Sequence, residues 1–358
     1  MVTAESTPCG WRLDFQERES QRSINNLSYP PPERSSECWG FYAWRVKVSL
    51  VVRAKNEAKH LPRLIAGIDA QNLQPHECIL VDSGSTDETR SIAEAAGWQV
   101  VQIDPADFTF GRSLNYGCQA ASGDILVLLS AHVYPVRIDH LKKMAEAVKK
   151  NHDAVVYGRQ VGNETTQFSE HVIMSQWFPA DRIADQGHAF TNNANAALSQ
   201  KLWSKFRYNE SLTGLEDIDL TARVLASGGS VSYVHEAPVV HVHEETFASI
   251  RTRYLREARA YKQIFPGEGM TFARATSLFI KNVIRDSGFA VREGALVREV
   301  LSILRFRSAQ FLGAWEGFRV PGDKESDLQV RMYHPHETFS RGGTESSELS
   351  IDYGDTYD

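Results

Sequence analysis

The chain has little cysteine: four residues in 358, at Cys9, Cys38, Cys78 and Cys118, with no CxxC spacing. That excludes a disulfide-stapled scaffold and a zinc-thiolate site, and it fits a reducing cytoplasm. It also lacks any run of about 18 apolar residues, so no helix is expected to span a membrane. The N-terminus lacks the basic-then-apolar pattern of a signal peptide. No internal repeat is present. The formal net charge is −6, and no nucleic-acid partner is expected. What remains is an ordinary globular composition, 42% apolar and 23% charged, long enough for one large domain or two.

The charge is unevenly spread. Residues 250–320 hold thirteen Lys or Arg against six acids, whereas residues 321–358 hold nine acids against three Lys or Arg. The basic block fits either a solvated helical face or contact with anionic lipid or a phosphorylated substrate. Residues 1–44, with Pro30-Pro31-Pro32 and many Ser, Asn, Arg and Glu, are expected to form a loosely ordered arm. Regular structure starts at Val48-Ser49-Leu50-Val51-Val52, a strand buried on both faces. The spacing then predicts a helix over 56–70, a strand over 77–81, a helix ending near Gly97, a strand over 98–103, a helix over 113–121 and a strand over 124–129. Such alternation implies βαβ units and a parallel sheet. Farther on, a helix over 139–151 and a strand over 153–159 precede an irregular stretch over 165–187. A short apolar segment at 194–199, helices over 202–206 and 215–227, and strands over 230–234 and 239–242 follow. Three helices close the pattern, over 247–264, 271–286 and 294–315.

Four polar clusters could carry chemistry, and those beyond strand ends sit where open α/β sheets bind ligands. Asp82-Ser83-Gly84-Ser85-Thr86-Asp87 links a buried strand to a helix, so its carboxylate and backbone N–H groups suit a nucleotide; the same residues also make plain turns and caps. Arg53-Ala54-Lys55-Asn56-Glu57 offers cations to phosphate, or is a solvated loop. Glu216-Asp217 and Asp219 open a helix whose dipole keeps them ionised; an ionised carboxylate can serve as a general base, although acids at this position are commonly only dipole partners. His241 and His243 alternate along a strand and share a face. With His132, in the Ser130-Ala131-His132 triplet that ends the strand ILVLL, they suit a metal, though a lone His is usually structural.

In this order the segments resemble the inverting glycosyltransferase family 2 over about residues 46–265. VSLVVRAKNEAKHL is similar to that family's first strand and nucleotide loop, and ILVDSGSTDETRSIA to its carboxylate loop and helix. FTFGRSLNYGCQAASGDILVLLSAH resembles the helix and strand leading to its metal motif; NNANAALSQKLWSKFRYNESLTGLEDIDLTARVLASGGSVSYVHEAPVVHVH resembles the acceptor segment with its Glu-Asp pair and later His. The resemblance implies a GT-A fold, a Rossmann-like and mostly parallel central sheet flanked by helices, over 45–265. A C-terminal helical region over 266–320 and an acidic flexible tail over 321–358 would follow. It implies a nucleotide-diphosphate sugar as donor, Mn²⁺ or Mg²⁺ as cofactor, and a glycan or lipid-linked acceptor. Asp82 would contact the nucleobase, with Arg53, Ala54 and Glu57 lining the pocket and Arg112 and Asn115 approaching the nucleotide. Ser130 and His132 stand in the place of the family's Asp-any-Asp motif, His243 matches its later metal-ligand His, and Asp217 matches its catalytic base.

Neither end of that triplet carries a carboxylate, so two imidazoles suit Mn²⁺ or a later metal better than Mg²⁺; otherwise the ion is lost and His132 or Arg53 supplies the charge. The position before Asn115, Arg in many relatives, is Leu114. Over 250–320, Leu296, Val300, Ile303 and Leu304 repeat at helical spacing among Arg298, Arg305 and Arg307. This segment could lie on the inner face of a membrane, or pack on the catalytic domain, or form a homodimer contact; a stripe no wider than a core face favours packing. Besides the enzyme, two readings stay open: a catalytically inactive nucleotide-sugar-binding or scaffold protein with the same fold, and another nucleotide-dependent transferase.

Overall fold

The computed structural model describes residues 46–181, 186, 188–319 and 350–353. The arm expected at 1–44 and most of the tail expected at 321–358 lie outside the described residues. The described residues form one compact unit.

Strand β1 (Val48–Ala54) is the centre of the construction. Its side chains alternate between two cores: Leu50, Val52 and Ala54 face one, Val51 the other. Helices α1 (Leu61–Asp69), α2 (Thr89–Ala95) and α4 (His140–Lys150) cover the first core through Leu61, Leu64, Ala93, Leu141 and Met144. Helices α3 (Phe110–Ala120), α6 (Gln200–Phe206) and α7 (Glu216–Ala226) cover the second through Leu114, Cys118, Trp203, Leu220 and Val224. A sheet covered on both faces is why β1 and β4 (Ile125–Ser130) read as unbroken apolar runs. Burial pushes the Cys78 thiol up to about 12, which leaves it unreactive.

The sheet has eight strands in the order β3-β2-β1-β4-β7-β6-β8-β5. These are, besides β1 and β4, β2 (Glu77–Asp82), β3 (Gln99–Gln102), β5 (Val133–Pro135), β6 (Ala154–Val161), β7 (Asn195–Ser199) and β8 (Ser230–His241). Strands β1 to β4 pair in parallel, β6 pairs in parallel with β8, and β7 and β5 run against their neighbours. The sheet is therefore mostly parallel, as expected, with two reversed strands. β1 lies between β2 and β4, so the chain reverses its direction of travel across the sheet there; ligands bind beyond strand ends at such a point.

Several boundaries differ from the sequence reading. α1 starts at Leu61 rather than 56, because Asn56 adopts a left-handed φ of 55° and Pro62 fits a first helical turn. The stretch 165–187 holds a helix, α5 (Phe168–Trp177). Its buried residues include Ser169 and Glu170, so no apolar stripe announces it. β8 is one strand rather than two, with Pro238 accommodated beside the irregularity at Gly158/Gln160 of β6. Residues 350–353 of the expected flexible tail are docked: Tyr353 donates to Pro135 O at 2.6 Å and Ile351 N to Val136 O at 3.1 Å.

Helices α8 (Phe247–Ile264), α9 (Phe272–Arg292) and α10 (Leu296–Arg319) follow the sheet. Gly313 and Gly317 let α10 approach α8 closely, since a Cβ at either would strike the backbone oxygen of Arg251 or Leu255. Arg307 of α10 is 1% exposed and bonds Asp286 of α9 at 2.7 and 3.1 Å, while reaching Ser169 O of α5 at 3.4 Å.

Candidate active site

The ends of β1, β2 and β4 bring four sequence candidates side by side. Arg53 is in register with Ser130, and Ala54 with Asp82. Asp82 is 1% exposed, and its carboxylate accepts from Gly84 N and Ser85 N at 3.1–3.2 Å. It therefore shapes the turn leading toward α2. Asn56, at positive φ, clasps the same loop by accepting from Thr86 N at 2.8 Å.

Asp217 sits in the first turn of α7, where Leu215 holds a left-handed φ of 56° and no side chain caps the helix. Such non-glycine strain costs about 1–3 kcal/mol and clusters at functional sites. Asp217 accepts from Asn193 N at 3.2 Å and Ile218 N at 2.8 Å. Burial, and then the neighbouring Glu216 carboxylate, push its carboxyl up to about 7. Glu216 itself is buried and bonds Arg53 Nη1 at 3.2 Å and Asn193 Nδ2 at 3.3 Å. Arg53 acts electrostatically on both Asp217 and His132, so it stands between the two halves of the site.

The other half is a histidine cluster. β5 pairs with β8, placing Val133 opposite His241, and Val242 N donates to His132 O at 3.1 Å. One ring nitrogen from each of His132, His241 and His243 lies within 4.8 Å of the others. The sequence grouped all three histidines, and the family resemblance narrowed them to His132 and His243; in the structure the His241 ring stacks on His132 at a centroid distance of 5.1 Å. Each Nδ1 has a partner: Glu57 for His132 at 2.8 Å, Gln160 for His241 at 2.7 Å and Glu170 for His243 at 2.7 Å. Burial, with His243 and His132 nearby, holds His241 well below the ordinary range and therefore neutral. For Glu170, burial would favour the acid, but His243 and Arg253 outweigh it and hold the carboxyl low, so it is ionised. Three imidazoles with anchored outer nitrogens fit a divalent ion.

Two carried-over residues are engaged within the protein. Asn115 Nδ2 donates to Tyr208 O and Glu210 Oε1, and its Oδ1 accepts from Trp203 Nε1 and Tyr208 N. That saturates the amide. Arg112 is committed to Glu210 at 2.8 Å and Asp107 O at 2.7 Å. Both tie α3 to the 208–210 loop, and Tyr208 hydroxyl in turn donates to Asn193 at 3.1 Å. Glu57, expected to line the nucleotide pocket, holds His132. Sequence reading missed Gln160, Glu170, Asn193 and Arg253, whose partners lie 24 to 83 residues away. No local pattern marks such pairs.

Comparison with known proteins bears on this cleft. Residues 49–206 match the family model described as Glycosyl transferase family 2. An O-antigen chain rhamnosyltransferase of Salmonella typhimurium is 23% identical over 56% of this chain and 68% of its own length. An uncharacterized glycosyltransferase of Rickettsia typhi is 22% identical over 82% of this chain and 94% of its own. Among solved structures, a mannosyltransferase from Pyrobaculum calidifontis, in complex with GDP-Man and Mn²⁺, superposes with a TM-score of 0.51 at 15% identity. That superposition covers 76% of this chain and 87% of the other, and the shared architecture is the GT-A fold.

Proposed function

We infer that the chain is a glycosyltransferase, the activity that its family 2 domain carries, and that it moves a sugar from a nucleotide-diphosphate sugar to an acceptor hydroxyl with inversion. The observation that carries this reading is Asp217: a carboxylate with its pKa near 7, on a strained helix start, beside an Arg at the strand ends. A base poised near the working pH suits deprotonation of a hydroxyl. In this reading Asp217 takes the acceptor proton, and the freed oxygen attacks the anomeric carbon from the face opposite the diphosphate. Arg53, held by Glu216, keeps the two halves of the cleft in register and lends positive charge toward the phosphates. The loop shaped by Asp82 and Asn56 meets the nucleoside. A divalent ion, when bound at His132 and His243, would supply charge that favours departure of the diphosphate. An inactive scaffold has no use for a strained, raised-pKa acid, which argues against the alternative.

A panel of UDP-, GDP- and dTDP-sugars, with rhamnose and mannose donors first because relatives are named for those sugars, tests the reading. Release of nucleoside diphosphate from one donor, dependent on an acceptor, is expected. Failure of every donor to bind or turn over would overturn it.

The acceptor is proposed to be a glycan or lipid-linked sugar met at the inner face of a membrane. No described helix is long and apolar enough to cross one. Yet nine of the ten large apolar side chains exposed among the described residues lie on α9 and α10, including Val297 at 94%, Leu301 at 76% and Ile284 at 67%. Lys281, Arg292 and Arg305 are exposed on the same helices, which matches an anionic lipid surface. The inner faces do pack, around Ile250, Phe306 and Ala309; the outer faces are what packing leaves over. Binding to phosphatidylglycerol vesicles, weaker by about tenfold in Ile284→Ser or Leu301→Ser, is expected. A dimer by light scattering that those substitutions dissolve, with no vesicle binding, would show a homodimer face instead.

A further inference from the structure

We propose that His132, His241 and His243 form a three-imidazole site for a borderline transition-metal ion of the Zn²⁺ and Co²⁺ class, one that does not take Mg²⁺. The proposal deepens the donor-site reading above and names the ion it uses.

The outer nitrogens of the three rings fix where the lone pairs lie. The Glu170 carboxylate, which also accepts from Arg253 Nη2 at 2.7 Å, lies 2.7 Å from His243 Nδ1, a pairing in which that nitrogen carries the proton and donates. The Gln160 carbonyl oxygen and the Glu57 carboxylate do the same for His241 and His132. In a neutral ring with its proton on Nδ1, Nε2 is a bare acceptor. The Nε2 atoms of His241 and His243 nevertheless face each other at 2.9 Å. Two bare lone pairs do not sit at that distance, so either a metal ion stands with them or one of the two nitrogens carries a proton.

The ligands on offer are nitrogens. The carboxylates nearest the cluster, those of Glu57 and Glu170, are spent on Nδ1 atoms, in the outer arrangement that orients metal-binding histidines. A second grouping, Glu170, His243 and Glu245, offers oxygen ligands, but Arg253 lies 2.7 Å from Glu170 and 2.6 Å from Glu245 and already neutralises it. Three nitrogen donors with no oxygen donor suit Zn²⁺ or Co²⁺, whereas Mg²⁺ demands oxygen. Access to the cluster is one-sided. The His241 ring is buried and the His243 side chain is 16% exposed, while the His132 side chain is 32% exposed. The cluster is thus closed on one side and open on the other, as a three-His site needs if a further position is to receive a substrate oxygen.

Titration of the full chain with Co²⁺ alone, without nucleotide, tests this through the visible d–d absorption of the bound ion. One equivalent is expected to bind with bands that Zn²⁺ abolishes and a large excess of Mg²⁺ leaves unchanged. His241→Ala should abolish the bands, and Glu170→Gln, which keeps the shape but not the charge, should weaken binding about 10–100-fold. Circular dichroism of each variant separates lost ligation from lost folding, and the wild-type titration stands whatever the variants do. No Co²⁺ binding by the wild type would mean that one of the facing nitrogens carries a proton, and overturns the proposal. Equal competition by Mg²⁺, or unchanged bands in His241→Ala, overturns it too. Ion binding without turnover of any sugar donor would leave this site standing and sink the glycosyltransferase reading; turnover without ion binding would do the reverse.

Discussion

Asp217→Asn should lower the rate of sugar transfer by about 10²–10⁴-fold, the range for removing a general base, while donor binding stays within a few-fold of wild type. The amide keeps the shape and can still accept from Asn193 N and Ile218 N, so only proton acceptance is lost. The wild-type rate should rise with pH through about 7, where Asp217 loses its proton, and the residual activity of the variant should not follow that rise. Stability should move the other way. The folded-state pKa lies above the unfolded value near 4, so between those pH values the unfolded chain is ionised while the folded site still holds a proton. Wild-type stability from this group is present at low pH and lost as pH rises toward 7. Asn pays no such cost, so the melting temperature of Asp217→Asn should exceed that of wild type above pH 7 and converge with it near pH 4. A variant slower yet more stable at neutral pH is the signature of a site that stores strain for function. Equal rates at all pH values would remove Asp217 from the mechanism.

Asp286→Ala should destabilise the fold by about 3–5 kcal/mol, seen as a drop in the urea midpoint. Arg307 and Asp286 are 1% and 0% exposed, and the guanidinium makes two bonds to the carboxylate. Taking away the acid strands a buried cation. Replacing both, as Asp286→Leu with Arg307→Met, should recover most of the loss, because the pair's desolvation cost then vanishes with its attraction. Arg307 also reaches Ser169 O, one residue before the Glu170 that orients His243. The single substitution is therefore expected to loosen the histidine cluster as well, and to weaken Co²⁺ binding below the unfolding transition. A single substitution as stable as wild type would show that the guanidinium is hydrated rather than sealed.

The parallel half of the sheet was legible because β1, β2 and β4 are buried on both faces, which writes them as apolar runs between helical spacings. Arg53, His132 and His241 could be singled out as candidates because they stand at or beside the ends of β1, β4 and β8, and Asp217 because it opens α7. α5 was not, since the residues it buries include Ser169 and Glu170, and a polar buried face has no hydrophobic period. Its omission hid Glu170, and with it the reason His243 is oriented. β5 has only three residues, too few for any pattern, yet its pairing with β8 is what carries His132 to His241. The partners of Asn115 and Arg112 were not legible: a motif records position, whereas Trp203, Tyr208 and Glu210, which engage those side chains, come from some 90 residues away.

The central claim is a single displacement at the anomeric carbon with Asp217 as base, and proton NMR of the first turnovers tests it most directly. With the donor that the panel identifies and a matching acceptor, the new glycosidic signal is expected in the anomeric configuration opposite to that of the donor, and it should be absent with Asp217→Asn. A product that keeps the donor's configuration, or an inverted product formed equally fast by Asp217→Asn, would contradict the account.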